Sequence, residues 1–218
     1  MLALVVILLL LLGWALIAGR LARYSVTAPL ALLVAGVALT AGQDPVFVFD
    51  IDLSDADRNV YETLALRVAR HPSESDEFLV ARLLAYCLEY RDGIEFSKGG
   101  LSDTDGPPIA VRDLTGAMQA WIDIGTPAAE RLHRAAKSTP RVAVYIQKDA
   151  TQWLSGLAAA KIHRADEIEL YALDRTLVQQ LVAALERRMS FAVSIAGGEI
   201  YVSLASAMAA GAVTRLRL

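Results

Sequence analysis

The chain has 218 residues, of which 55% are hydrophobic, and it carries 21 Lys and Arg against 24 Asp and Glu. Residues 1 to 42 contain only two of these charges, Arg20 and Arg23, so the other 176 residues have a formal charge of −5. That remainder is typical of one globular domain, and its charge excludes a broadly basic nucleic-acid-binding surface. The single cysteine, Cys87, excludes an internal disulfide and a cysteine-based zinc site, and it favours a reducing compartment.

The amino-terminal segment has the composition of a membrane helix. Residues 1 to 19 carry no charge, and at a rise of about 1.5 Å per residue such a helix covers roughly the hydrocarbon core of a bilayer. No Lys or Arg precedes this run, which disfavours a cleaved signal peptide. Residues 24 to 42 form a second uncharged run, which Pro29 weakens as a span. The pattern predicts an apolar transmembrane-like segment over residues 1 to 42 and a separate domain over residues 44 to 218.

The basic stretch RLAR, which follows the first apolar run, leaves the topology of this segment open. Two spans would put RLAR in the cytoplasm and the large domain outside, whereas one span puts both on the same side. We favour one span that anchors a cytoplasmic domain to the inner membrane, or else an accidental junction between a membrane-protein fragment and an independent domain. The stretch GWALIAGRLARYSVTAPLALLVAGVALTAG is similar to the opening helices of bacterial sodium/proton antiporters. No later apolar run is long enough to supply the further spans of a transporter.

Short strands and helices are predicted from residue 46 onward. The stretches VFVFDIDL and YETLALRVAR flank the turn-forming SDADRN, and although the second stretch also has good helix propensity, we predict a hairpin over residues 46 to 70. Ser73 is the predicted N-cap of a helix whose first turn carries Glu74, Asp76 and Glu77. The turn-rich stretch KGGLSDTDGPP is predicted as a loop that borders the functional site.

The centre of the chain is predicted to contain a buried strand with one polar face. In MQAWIDIG, Gln119, Trp121 and Asp123 alternate with apolar residues and therefore share a face. Thr126 and Pro127 predict the cap and first residue of the next helix. A strand at RVAVYIQ, a helix, a strand, a helix and a hairpin around AGG follow. This order predicts an α/β or α+β fold with a central mixed sheet flanked by helices.

Acidic residues are the main candidates for chemistry in this chain. The sequence has no phosphate-binding glycine loop, no G-x-S-x-G elbow and no H-E-x-x-H motif, and its three histidines lack metal-ligand spacing. What remains is Glu74 and Glu77 in a helix, Asp113 before a turn, and Asp123 on the strand face. Each residue alone also has a structural explanation, because acids stabilise first turns of helices and favour turns.

Taken in order, these acids resemble the PD-(D/E)XK nuclease layout. The stretch ARHPSESDEFLVARLLAYCLE, with DLSDADRN upstream and AWIDIG and RVAVYIQ downstream, is similar to the YaeQ family, bacterial proteins with a modified form of that fold. The resemblance covers roughly residues 47 to 204. It implies a restriction-endonuclease-like fold and metal-dependent hydrolysis of nucleic-acid phosphodiesters. It also implies that Glu77 (or Glu74), Asp113 and Asp123 hold Mg²⁺ or Mn²⁺, with Gln119 beside them.

The expected catalytic lysine is missing from its usual position. In the nuclease pattern a lysine stands two residues after the second strand acid, and this chain has Gly125 there. Lys137, at the end of the next predicted helix, is our candidate for a migrated lysine, and Lys148 is the alternative. The departure leaves a second function open, in which the domain is catalytically inactive and binds nucleic acid or a protein partner through the same cleft.

Overall fold

A mixed sheet of ten strands is the centre of the computed structural model, which describes residues 45–71, 73–97 and 106–217. The predicted membrane segment over residues 1 to 42 lies outside the described residues, as does most of the predicted KGGLSDTDGPP loop. Within the described ranges, no helix combines the length and hydropathy needed to cross a membrane.

The helices and strands of the described residues follow one another along the chain. They are β1 (Val46–Asp55), β2 (Val60–Ala69), α1 (Asp76–Leu88), β3 (Ile94–Phe96), β4 (Ile109–Arg112), β5 (Met118–Ile124), α2 (Ala129–Ser138), β6 (Arg141–Ile146), α3 (Thr151–Ala158), a 3-10 turn (Ala165–Glu167), β7 (Glu169–Leu173), α4 (Arg175–Ala183), β8 (Arg188–Ala196), β9 (Glu199–Ser203) and β10 (Met208–Leu216).

The strand order in the sheet is β2-β1-β8-β9-β10-β7-β6-β5-β4-β3. The pairs β1/β8, β5/β6 and β6/β7 are parallel, and the other six pairs along this order are antiparallel. Parallel neighbours need crossover connections, which α2 provides between β5 and β6 and α3 between β6 and β7. The predicted α+β class with a mixed sheet and flanking helices is therefore confirmed.

The first two strands form the predicted hairpin. Phe47, Phe49, Ile51 and Leu53 of β1 are all buried, and the residues between them are more exposed, which is the period of a strand with one covered face. This burial explains why strand pairing overrides the helix propensity of YETLALRVAR: the partner strand and the core beneath it favour alternation. At the turn, Asn59 adopts a positive φ of 58°, a conformation that asparagine tolerates better than most residues.

The helices lie on both faces of the sheet and produce two hydrophobic clusters. Helices α1 and α4 cover one face with a large cluster that includes β1, β2 and β8 to β10. Helices α2 and α3 cover the opposite face of β5, β6 and β7 with a smaller cluster. Because successive strand residues point to opposite faces, Ile122 belongs to the first cluster and Trp121 to the second.

Two helix boundaries and one strand differ from the sequence prediction. The N-cap of α1 is Ser75 and not Ser73, because the Ser75 hydroxyl accepts the Phe78 amide at 3.2 Å. Helix α2 begins at Ala129, after an extended Ala128, so Thr126 and Pro127 precede the helix as a short loop. Strand β10 was not predicted, since its run MAAGAVTRL lacks the large apolar residues that identify strands.

Arg141, the first residue of β6, joins α1 to the sheet. Its guanidinium bonds both oxygens of Glu89, the C-cap of α1, at 2.7 and 2.8 Å, and it also pairs with Glu169 at the start of β7. The Tyr145 hydroxyl donates to Glu89 at 2.8 Å. Burial alone would lower the pKa of Arg141, but the hydrogen bonds to Glu89 and Glu169 hold that pKa above its ordinary value. The buried charges of this network are therefore matched.

We predict that residues 44 to 218 fold without the amino-terminal segment. Residues 45 to 218 form one compact unit, and both hydrophobic clusters are built within it. This shortened chain should be recovered soluble and should unfold in urea as a single cooperative transition, followed by circular dichroism. A chain that starts at residue 52 lacks half of β1 and should not fold. Aggregation of the 44 to 218 chain, reversed only by restoring residues 1 to 42, would contradict the prediction.

Candidate functional site

Strand β5 carries the predicted polar face at the centre of the β4-β5-β6 region. It pairs antiparallel with β4 and parallel with β6, so its residues are covered from both sides. Asp123 is 3% exposed, and the Trp121 indole donates to its Oδ2 at 3.0 Å. The alternation in MQAWIDIG thus places Trp121 and Asp123 side by side, as the sequence predicts. A carboxylate buried this deeply needs a compensating charge or donors.

Arg131 supplies that compensation. Its Nε donates to Asp123 Oδ2 at 2.8 Å and its Nη2 to Asp123 Oδ1 at 3.1 Å, which is the two-point fork of an arginine–carboxylate pair. The guanidinium also lies 5.2 Å from the centre of the Trp121 ring and donates to the Gly106 carbonyl at 2.7 Å. Arg112 and Arg82 are two other arginines that stand close to the candidate acids in sequence. Those two arginines pair with Glu95 and Glu74 instead.

Asp113 and Gln119 are brought together at the turn between β4 and β5. The Asp113 carboxylate accepts bonds from the Thr115 hydroxyl at 2.6 Å and amide at 2.8 Å, and from the Gln119 side chain at 2.7 Å. The Thr115 hydroxyl bond is the main cause that lowers the pKa of Asp113. Asp113 is exposed, and its bonds close a turn in which Gly116 has φ of +84°. In this structure Asp113 acts as a turn-forming residue.

The two helix acids have separate structural roles. Glu77 is exposed in the first turn of α1, where hydrogen bonds with its own amide and with Ser75 lower its pKa. Glu74 is buried, lies 3.0 Å from the equally buried Arg82, and has a pKa raised mainly by that burial. Glu77 therefore serves the helix end, and Glu74 neutralises a buried cation.

The structure does not bring Glu77, Asp113 and Asp123 together as a metal site. Among the described residues, no group of three or more His, Cys, Asp or Glu side chains is placed to hold a metal ion. The physical reason is their placement: Glu77 is on α1, which covers one face of the sheet, Asp123 lies on the opposite face beneath α2, and Asp113 is in an exposed turn. Lys137 is exposed in the last turn of α2, about 9 Å along the helix from Arg131, and Lys148 is exposed beyond β6.

A cavity of about 300 Å³ lies beside these residues. Among the described residues, β3, β4 and the start of β5 form most of its wall, and Ser97, Gly106 and Pro107 also line it. The Arg112 Nε and Glu95 Oε1 atoms are 2.7 Å apart in this wall, with both side chains 40 to 45% exposed. The lining residues are Glu95, Phe96, Ser97, Gly106, Pro107, Ala110, Arg112 and Met118.

Arg131 connects this cavity to the buried acid. The Gly106 carbonyl that accepts from Arg131 belongs to a lining residue of the cavity, so one guanidinium holds both Asp123 and part of the cavity wall. Sequence reasoning missed Arg131. The available signal was its place in the first turn of a helix that starts shortly after β5, since such a turn returns over the carboxyl end of that strand.

Comparison with known proteins identifies the family of this chain. The family model described as YaeQ protein matches residues 40–211. The chain belongs to the YaeQ family. It is 30% identical to YaeQ of Salmonella typhi over 155 residues and to YaeQ of Escherichia coli K12 over 156 residues, in each case covering 70% of this chain and 84% of the relative.

Solved YaeQ structures share the fold. The crystal structure of YaeQ from Xanthomonas axonopodis pv. citri matches with a TM-score of 0.73 and 32% identity, over 80% of this chain and 98% of that one. YaeQ from Pseudomonas syringae matches with a TM-score of 0.72 and 27% identity, over 80% and 97% of the two chains. The region matched by the YaeQ family model contains the Asp123–Arg131 pair and the described residues that line the cavity.

We predict that the Asp123–Arg131 pair stabilises the fold. Replacing Asp123→Asn leaves a largely buried guanidinium without its counter-charge and should lower the free energy of unfolding by about 3 kcal/mol. Arg131→Gln should cost a similar amount, and the double variant should lose less than the two single losses added together, because each already breaks the same pair. Urea unfolding of the three variants measures this coupling.

A neighbouring exposed residue gives the matched control. Glu130→Gln changes one charge on the same turn of α2 and should alter the unfolding free energy by less than about 0.5 kcal/mol. Wild-type stability in Asp123→Asn, or strict additivity in the double variant, would show that the pair does not carry this energy.

Proposed function

We propose that this YaeQ-family protein is a catalytically inactive nuclease-fold module that binds an extended segment of a protein partner in the cavity beside Glu95 and Arg112. The observation that carries this proposal is the fork between Arg131 and Asp123, because it occupies both oxygens of the acid that the nuclease resemblance assigns to the metal. The same guanidinium braces the Gly106 carbonyl in the cavity wall. In a nuclease the carboxylate at this position would bind a metal ion. Here Asp123 holds Arg131, and Arg131 fixes part of the wall of the proposed binding cavity.

The nuclease-like fold is part of the proposal. Helix α1 is followed by β3 and β4, by β5 with its buried acid, and by the crossover helix α2 and β6. This order agrees with the PD-(D/E)XK layout, in which a helix acid precedes two acid-bearing strands. The agreement supports a common architecture, and activity is a separate matter that depends on the side chains of the site.

The backbone at residue 125 supports the absence of catalysis. Gly125 has φ of +82°, a conformation that residues with a Cβ rarely adopt. Its amide donates to the Tyr145 carbonyl at 2.8 Å, which ties this conformation to β6. A lysine two residues after Asp123 would be strained here, so the chain is built around a glycine at the position where the nuclease pattern has its lysine.

The cavity lining suits a peptide better than a nucleic acid. Phe96, Met118 and Pro107 offer apolar contacts, while Glu95 and Arg112 present one charge of each sign at their partly exposed ends. A phosphate backbone needs an excess of cations, and residues 43 to 218 have a net charge of −5. A peptide with mixed apolar and polar side chains matches both features.

We predict that the wild-type protein does not hydrolyse phosphodiesters. An ion would have to displace Arg131 from Asp123, and the described residues contain no group of three or more His, Cys, Asp or Glu side chains placed to hold it. Calorimetric titration with Mg²⁺ and Mn²⁺ should give no saturable binding, and labelled single- and double-stranded DNA and RNA should stay intact. Metal-dependent cleavage that Asp123→Asn and Asp113→Asn abolish, but Lys161→Ala does not, would establish the nuclease activity instead.

We also predict binding of peptides in the cavity. A random peptide library displayed on phage should yield ligands for the wild-type protein. Ser97→Trp, which fills the cavity, and Arg112→Ala, which removes its cation, should each weaken these ligands by about tenfold or more. The exposed Lys161→Ala variant is the matched control and should bind as the wild type does.

Two results would contradict the peptide proposal. One is the absence of any peptide whose binding depends on Ser97 and Arg112. The other is tighter binding of labelled oligonucleotides that the same two substitutions weaken, which would assign the cavity to nucleic acid.

A further inference from the structure

Strand β2 is a long edge of the sheet, and no strand of the described residues pairs with its outer side. It lies at one end of the strand order and pairs with β1 over ten consecutive residues, from Val60 to Ala69, without a shift in register. The strand at the opposite end, β3, has only three residues. Proteins usually protect long edges with lysines, prolines or bulges, and β2 has none of these. An edge of this length and regularity is a template for another strand.

The backbone groups that point away from β1 can be identified. The Arg70 amide donates to the Pro45 carbonyl at 3.0 Å, so even-numbered residues of β2 direct their N–H and C=O groups toward β1. Because these directions alternate along a strand, the odd-numbered residues direct theirs outward. The outward groups belong to Tyr61, Thr63, Ala65, Arg67 and Ala69.

Arg82 already bonds the carbonyl of Ala69, the last of these outward residues. Its Nη2 donates to the Ala69 carbonyl at 2.8 Å, and the side chain is fixed there by burial and by Glu74. An added strand therefore finds four consecutive outward residues, 61, 63, 65 and 67, with Ala69 already bonded. The centre of this set is Leu64.

We propose that a second copy of this chain binds here, with the two β2 strands antiparallel about a two-fold axis through Leu64. In this register Tyr61 faces Arg67 of the second copy, Thr63 faces Ala65, and all four outward residues bond across the interface. A register centred on Ala65 would need the Ala69 carbonyl and would displace Arg82. The Arg82 contact thus selects the register.

The side chains of β2 are complementary to themselves in this arrangement. Tyr61 is 61% exposed and shares with Arg67 the face of β2 that no described helix covers, so the two-fold axis places a cation beside an aromatic ring twice. On the other face residue 64 lies opposite its own copy and residue 60 opposite residue 68, and there Leu64 and Val68 are already buried in the core of their own domain. A contact that needs the same residues in both halves fits a second copy better than an unrelated strand.

The oligomeric state of the full chain tests this proposal. Sedimentation velocity should give the mass of two chains for the wild type and of one chain for Ala65→Pro, which removes an outward N–H. Ala65→Thr keeps that N–H and is the matched control, and it should stay dimeric. A monomeric wild type, a dimer that survives Ala65→Pro, or dissociation in Ala65→Thr would each overturn the proposal.

Disulfide cross-linking tests the register and does not depend on the proline variant. Leu64→Cys should form an inter-chain disulfide on mild oxidation, because residue 64 meets its own copy at the two-fold axis. Leu66→Cys places the thiols four residues out of register and should not. The native Cys87 gives little background, since it is buried in α1 and does not lie on β2, so the interface does not bring it against its own copy. Cross-linking through Leu66→Cys, or none through Leu64→Cys, would rule out this register.

Discussion

The contact of Arg141 with Glu89 and Glu169 is the constraint on which the rest of the structure depends. It fixes the end of α1 against the start of β6 and β7, three elements that are distant in sequence. The orientation of α1 in turn places Arg82 against the last carbonyl of β2. The position of β6 fixes β5, and with it the buried acid that Arg131 neutralises. An uncompensated charge in this network would lower the stability of the fold. The positions of α1, β5, β6 and β7 therefore depend on one another.

The elements that sequence predicts best are those with a strong apolar period. Alternating Phe47, Phe49 and Ile51 identify β1, and MQAWIDIG identifies β5, because a half-covered strand must alternate. Strand β10 escapes such reasoning, since its alanines and glycine carry no large side chains. Its Gly211 is needed for packing: a Cβ there would lie 2.5 Å from Asp174. Long-range crowding of this kind is not visible in a local pattern.

The candidate site was predictable in its residues but not in their partners. The polar face of β5 and the Asp113–Gln119 neighbourhood follow from spacing along adjacent strands. The sequence predicted that three acids converge, and the structure does not bring them together. The sequence could not reveal this, because an arginine and a metal ion compensate a buried carboxylate equally well in principle. The choice depends on which cation the fold brings near. The crossover helix α2 brings Arg131, and its place in the first turn after β5 is a local signal of this pairing.

The parallel pairing of β1 with β8 has a consequence for synthesis. Val48–Asp55 pairs with Arg188–Ile195, so the two strands are separated by most of the domain. While the ribosome makes the intervening chain, the β1–β2 hairpin has two open edges and an uncovered apolar face. Strand β8, near the end of the chain, pairs with β1 and so covers one of these two edges. The hairpin is therefore the segment most exposed to wrong pairing in the nascent protein, and the acids Asp50 and Asp52 on its outer face oppose the stacking of two such hairpins by charge repulsion.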